Sequence, residues 1–192
     1  MAEHVLSLRA GALAETHAVA ACVAELSRSG DIIVLSGEMG AGKTAFAQGF
    51  GRALGVTDPI TSPTFTLVHS YPIERGPRAG KLTLHHADLY RLEHTAEVAD
   101  LALRELAEFA GIVLVEWGDV VDLFGDHLVI HLSPTDEIDA DGDATTEGGA
   151  ALVGDDDVFA LDGSRRIEIG AVGPSWAGRW QALIDAVEEY RC

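Results

Sequence analysis

Ile32-Ile33-Val34-Leu35-Ser36-Gly37-Glu38-Met39-Gly40-Ala41-Gly42-Lys43-Thr44, continuing through Ala45 to Leu54, is the stretch whose reading decides the fold. Ile32 to Leu35 is a compact run of β-branched and aliphatic residues, the kind found in strands buried on both faces. The chain then passes Gly37, Gly40 and Gly42 and enters a stretch of helical character that Gly55 ends. Gly37, Gly42, Lys43 and Thr44 meet the pattern G-x-x-x-x-G-K-[ST]. Each residue type in it has a chemical reason. Glycines let the backbone wrap closely, so that consecutive N–H groups from Glu38, Met39, Gly40, Ala41 and Gly42 onward point at phosphate oxygens, and the start of the next helix attracts the same anion. Lys43 brings a mobile positive charge to the β- and γ-phosphates, and Thr44 offers a hydroxyl to Mg²⁺. Lys43 is one of only two lysines in the chain, so the match does not come from a lysine-rich composition.

Outward from this stretch, His4 to Leu8 reads as a strand. Leu13 to Leu26 reads as a helix with Leu13, Val19, Cys22, Val23 and Leu26 at helical spacing and Gly30 as its C-terminal cap. Phe65 to Tyr71 and Lys81 to Ala87 read as strands joined by a turn over Pro72 to Gly80. Thr95 suits the N-cap of a helix from Ala96 to Phe109, and Ile112 to Val115 is a second buried-strand run that stops at Glu116. Leu128 to Leu132 and Arg166 to Val172 are later strands, and Trp176 to Tyr190 reads as a closing helix. Strands alternate with helices in the first half and cluster in the second. The fold expected is α/β, a P-loop NTPase-like three-layer arrangement around a mixed, largely parallel sheet, built as one domain over residues 1–192.

Composition narrows the function classes. The net charge is −18 over 192 residues, which argues against direct nucleic-acid binding through a basic surface. Ten of the acids lie between Ser133 and Ser164 with no Lys or Arg among them, so about 134–160 reads as a flexible, solvated acidic insertion. No apolar run is long enough to span a bilayer, and Met1 to Leu8 lacks the basic start of a secretion signal. Cys22 and Cys192 have no metal-ligand or redox spacing. A cytoplasmic protein without membrane attachment is expected.

A phosphate loop needs an acidic partner for its metal, usually at the end of a neighbouring strand. Asp88 and Glu116 both end strands, where ligands bind in open α/β sheets. Either would hold Mg²⁺ directly or through water while the other orients the attacking water. The plain alternative for each is a strand-end charge without duty. Thr64, in Ser62-Pro63-Thr64-Phe65-Thr66, would add a hydroxyl near the γ-phosphate or simply start a turn. Trp117 follows Glu116 and would sit near the same strand end, but by its own residue type it reads first as a core or rim aromatic. His85 and His86 read as packed or surface histidines, and Arg91 as a phosphate contact or a surface residue.

Taken in order, these segments resemble one family. Gly37 to Thr44, Ser62-Pro63-Thr64-Phe65-Thr66-Leu67-Val68, His86-Ala87-Asp88-Leu89-Tyr90-Arg91-Leu92 and Val115-Glu116-Trp117 are similar to the motifs of the bacterial TsaE (YjeE) ATPases of tRNA threonylcarbamoyladenosine biosynthesis. The resemblance spans about Val5 to Leu132. Ala45 stands where many members carry a second Thr, and Met39 where a Leu is usual. The resemblance implies weak ATPase activity with ATP/ADP and Mg²⁺, exercised on a complex of TsaD- and TsaB-like partners that modifies adenosine 37 of tRNA. It also implies that Lys43, Asp88 and Glu116 are catalytic, that Thr44, Asp88 and Glu116 attend the metal, that Thr64 belongs to a switch-like loop, and that Trp117 is the aromatic beside it. Two other readings stay open: a small-molecule kinase with Arg75 and Arg78 as lid arginines, and a nucleotide-dependent binding switch with negligible turnover.

Overall fold

A computed structural model describes residues 4–63, 67–90, 102–117, 125–135 and 163–192. Among the described residues seven strands form one sheet: β1 His4–Ala10, β2 Ile32–Ser36, β3 Val68–Pro72, β4 Thr83–Asp88, β5 Gly111–Glu116, β6 His127–Pro134 and β7 Arg165–Val172, in the order β1-β7-β6-β2-β5-β4-β3. The middle four are mutually parallel, with Val34 opposite both Val115 and Val129, while β3, β7 and β1 pair antiparallel at the margins. The sheet is therefore mixed with a parallel centre, as expected from the apolar runs.

Unbroken apolar runs, whose successive side chains point to opposite faces, explain why β2 and β5 sit at the centre. Ile33, Leu35, Ile112 and Leu114 face a large cluster with Phe46, Phe50 and Val23, whereas Ile32, Val34, Val113 and Val115 face a second cluster with Leu103 and Ala107. Burial of each such side chain stabilises by about 1.5–3 kcal/mol, so a strand apolar on both faces gains most between two helical layers.

Helices α1 (Leu13–Leu26) and α2 (Lys43–Leu54) pack side by side on the first face. Gly49 permits their approach, because a β-carbon there would stand 2.7 Å from His17 Cα. α3 (Leu103–Glu108) covers the other face. α4 (Trp180–Ala186) follows a 3₁₀ turn over Pro174–Arg179. Arg179 is buried there, stacks 4.0 Å over Trp176 and clamps Asp31 at 2.5 and 2.8 Å, fixing the C-terminal segment to the start of β2. The edge of β1 is covered in turn by the chain's end, where Cys192 N–H donates to Ser7 O and Arg191 bridges Leu8.

Several local expectations are corrected. α1 ends at Ser27, which turns to extended backbone and donates its hydroxyl to Val23 O at 2.8 Å, so Gly30 is not its cap. Gly30, at φ 92°, instead makes the turn into β2. The helix expected from Ala96 to Phe109 is not continuous, since Ala102 has φ 49°, outside helical geometry, and α3 starts after it; Thr95 lies outside the described residues. The closing helix is broken into a 3₁₀ turn, α4 and a second 3₁₀ turn at Glu188–Tyr190. The acidic stretch falls mostly outside the described residues. Among the described residues no helix is long and apolar enough to cross a membrane, and Cys22 and Cys192 are both free thiols.

Candidate functional site

The loop from Gly37 to Thr44 leaves the carboxyl end of β2 and becomes the first turn of α2. Glycine is required at particular points in it. Gly37 has φ 130°, and a β-carbon there would stand 2.1 Å from Leu132 O. Gly42 has φ 101° and is the N-cap of α2, its carbonyl accepting from Phe46 N–H at 2.9 Å. Ala41 N–H donates back to Glu38 O at 3.1 Å and turns the loop on itself. The result is a backbone cradle opening over a helix N-terminus, a site that attracts anions.

Lys43 is buried, at 5% exposure, although lysine side chains are nearly always exposed in folded proteins. Its Nζ donates to Gly37 O and Glu38 O, each at 2.8 Å, and lies 3.7 Å from the centre of the Trp117 ring. Trp117 itself has φ 63°, uncommon for a residue with a β-carbon; its N–H donates to Leu35 O at 2.9 Å, and Tyr90 packs on its ring at 5.1 Å between centroids. Strain of this kind persists where surrounding contacts over-determine it, and it concentrates at functional sites.

The two strand-end acids stand side by side, because β4 and β5 pair Asp88 with Glu116. Both are buried. They differ in what they touch. Glu116 Oε1 accepts the Thr44 hydroxyl at 3.1 Å and contacts His86 Nε2 at 2.9 Å. Asp88 Oδ2 accepts the Ser62 hydroxyl at 3.1 Å, and its Oδ1 accepts Tyr90 N–H at 2.9 Å. Glu116 therefore reaches the end of the cradle, while Asp88 holds the Ser62-Pro63 segment. Thr64 and Arg91 lie outside the described residues.

Sequence reading missed two members of this neighbourhood. His86 read as a packed or surface histidine; it is wholly buried, and its ring contacts the acid that touches Thr44. The signal was available: strand alternation puts residues 86 and 88 on one face of β4, beside Glu116 on β5. Arg165 is the second. It is buried, its guanidinium lies 3.4 Å from where a Gly42 β-carbon would stand, and it donates to Thr16 Oγ1 at 3.0 Å. A residue 123 positions from Gly42 leaves no local spacing to read.

The groups present fit a nucleotide with Mg²⁺. Among the described residues no cluster of three or more His, Cys, Asp or Glu would hold a metal by itself. Thr44 and the adjacent Glu116 offer the one or two protein oxygens that Mg²⁺ usually takes, with waters and phosphate to complete its shell. A cavity of about 470 Å³ lies at the other end of α2, between Arg52, Thr57, Arg75 and Arg78. Arg78 there donates to Ala24 O, Glu25 O and Ser27 O at the end of α1.

Comparison with known proteins agrees with these motifs. The family described as "Threonylcarbamoyl adenosine biosynthesis protein TsaE" matches residues 11–142. A Bacillus subtilis protein named tRNA threonylcarbamoyladenosine biosynthesis protein TsaE is 41% identical over 108 residues, which cover 56% of this chain and 63% of that protein. A Synechocystis protein of the same name is 49% identical over 92 residues, 46% of this chain and 54% of that protein. The matched stretch thus spans little more than half of such relatives' length. The crystal structure of YdiB from Bacillus subtilis superposes with a TM-score of 0.65 at 28% identity, covering 98% of this chain and 97% of that one.

Proposed function

This chain belongs to the TsaE family of threonylcarbamoyl adenosine biosynthesis proteins, and from that premise we propose that it binds ATP with Mg²⁺ and hydrolyses it slowly in the cytoplasm, in the service of a tRNA-modifying complex of TsaD- and TsaB-like partners. The single observation that carries the reading is the contact between Thr44 and Glu116, which ties the end of a glycine cradle to a buried strand-end acid. A glycine turn with a purely structural duty would need neither a buried lysine nor an acid at that point.

In this reading the backbone amides of Glu38 to Thr44 bind the phosphates, and the Lys43 ammonium exchanges its two carbonyl partners for phosphate oxygens. The Thr44 hydroxyl, with Glu116 beside it, would hold Mg²⁺; when bound, the ion neutralises charge on the β- and γ-oxygens. Asp88 orients the attacking water and takes its proton, and through Ser62 it holds the loop that continues to Thr64. His86 fixes the orientation of the Glu116 carboxylate. Trp117 and Tyr90 wall the site and exclude stray water.

A small-molecule kinase would need arginines over the phosphates. Arg75 and Arg78 stand instead at the end of α2 remote from the cradle, about 18 Å along a helix of this length. The test is phosphate release from ATP by the full chain, alone and with a TsaD–TsaB-like pair. Faster release with the pair supports the proposal. No release under either condition, with ATP still bound, leaves a nucleotide switch, and phosphate transfer to a small acceptor leaves a kinase.

A further inference from the structure

Arg165 opens β7 at the cradle's end of the sheet, paired with Ala10 on one side and Pro134 on the other. Its side chain runs inward between the first turns of α1 and α2, and only 3% of the residue is exposed. Nη1 donates to Thr16 Oγ1 at 3.0 Å, and Thr16 is itself wholly buried in α1. Cζ and Nη1 both lie 3.4 Å, and Nε 3.5 Å, from the point where a β-carbon on Gly42 would stand. Gly42 is the residue through which the cradle becomes a helix.

Burying a guanidinium disfavours its charged form, and burial does pull Arg165 below the ordinary arginine value. A residue needed only to fill space would avoid that cost. The charge is also felt locally: after burial and Arg52, Arg165 is a further cause pushing the His17 imidazole below its usual value. In such a weakly screened place a positive charge acts on an anion it does not touch.

We propose that Arg165, held by Thr16, is a positioning residue for nucleotide binding, one that buttresses Gly42 from beneath and sets a buried positive charge behind the phosphate cradle. The inference rests on the nucleotide-binding reading above. Its signature follows from charge: a field effect grows with the charge of the ligand, so ATP depends on Arg165 more than ADP does. A shape effect on the cradle alone would weaken the two alike.

The full chain and its Arg165→Gln, Arg165→Lys and Thr16→Val variants would be titrated calorimetrically with ATP and with ADP at fixed Mg²⁺, and their melting temperatures recorded. Arg165→Gln is expected to weaken ATP at least about tenfold and ADP by a smaller factor, while Arg165→Lys stays within about threefold for ATP. ATP affinity of Arg165→Gln within about threefold of the parent, an equal loss for both nucleotides, or an equal loss in the lysine variant overturns the proposal. If Arg165→Gln does not fold, Thr16→Val decides, since it leaves the charge and removes a hydroxyl oxygen that Nη1 donates to. A loss of about three- to tenfold for ATP is then expected, and unchanged affinity overturns the idea. A parent chain that binds neither nucleotide would instead sink the underlying reading, and this one with it.

Discussion

Thr44 donates its hydroxyl to Glu116 Oε1 at 3.1 Å, although the two residues lie 72 positions apart. The register of the central strands makes the contact: β2 and β5 run parallel with Leu35 opposite Glu116, so the loop leaving β2 returns its last residue over the end of β5. The same carboxylate oxygen meets His86 Nε2 at 2.9 Å. One oxygen thus joins the cradle, the strand next to it and the strand beyond. Every prediction about the site starts from that junction.

Lys43 is satisfied in this structure by two backbone carbonyls and an aromatic face. Replacing it by methionine keeps much of the buried stem and removes the charge. Charge-assisted bonds of this kind contribute about 1.5–3 kcal/mol, so ATP should bind at least about tenfold more weakly. Calorimetric titration with ATP checks this, and a dissociation constant within a factor of about three of the parent's would contradict the cradle.

Glu116 and Asp88 sit side by side but touch different groups, and their amide variants should part company. Glu116→Gln is expected to raise the Mg²⁺ concentration for half-maximal turnover several-fold, because the carboxylate beside Thr44 loses its charge. Asp88→Asn should leave that concentration nearly unchanged and lower the maximal rate by about 10²–10⁴-fold, the usual worth of a positioned base. In both variants turnover should fall more than ATP affinity. A Mg²⁺ titration of phosphate release separates them, and a reversed pattern would exchange the two roles.

The centre of the fold was legible because its signals are local. Ile32 to Leu35 and Ile112 to Val115 can bury both faces only between helical layers, and the glycine loop between strand and helix has fixed spacing. What escaped depended on tertiary context. Trp176 to Tyr190 has helical composition, but Arg179 breaks away to clamp Asp31, and that contact takes precedence over propensity. Ala102 gives no hint in its side chain of a left-handed backbone. Lys43, Thr44, Asp88, Glu116 and Trp117 come together from motifs, whereas Arg165 and the His86 contact are products of strand order.

His86 is wholly buried against Glu116. His86→Ala would remove a ring from a packed sheet face and a partner from the acid, for a combined loss of about 2–4 kcal/mol in stability. His86→Gln restores a donor of similar reach. If His86 positions Glu116, partner-stimulated turnover should drop at least about tenfold in the alanine variant and recover in part with glutamine, while ATP affinity moves less. Unfolding in urea and phosphate release, measured on the same samples, decide between this and a packing role; turnover unaffected by the alanine change points to packing.

Gly37 and Gly40 both have positive φ, at 130° and 81°, but their surroundings differ. A β-carbon at Gly37 would meet the Leu132 carbonyl oxygen at 2.1 Å, backbone that cannot yield, whereas nothing lies within 4 Å of one at Gly40. Gly40→Ala should therefore cost about 1–2 kcal/mol, mainly the left-handed backbone penalty. Gly37→Ala should cost clearly more, and should also part the loop from β6 and weaken ATP binding. Thermal denaturation of the two variants ranks them, and equal losses would remove the steric argument.

Acid sensitivity supplies a prediction whose sign is fixed by burial. His85 lies in β4, mostly shielded, with its Nδ1 2.8 Å from Ser70 Oγ, and burial lowers its pKa from the usual 6.5. His17 is lowered as well, by burial first and then by Arg52 and Arg165. A lowered histidine binds its proton more readily in the unfolded chain. Its contribution to stability is then complete above pH 6.5 and is lost as pH falls from there through the folded value. Ordinary carboxylates titrate near pH 4, so a decline between pH 7 and 5.5 belongs mainly to histidine. Urea unfolding should give a free energy level from pH 7 to 8 that falls steadily below about 6.5. His85→Asn, which keeps a polar partner for Ser70 but cannot take up the proton, should flatten that fall, leaving the part due to His17. A slope identical to the parent's would mean that the His85 ring reaches water in the folded protein and titrates there as it does in the open chain.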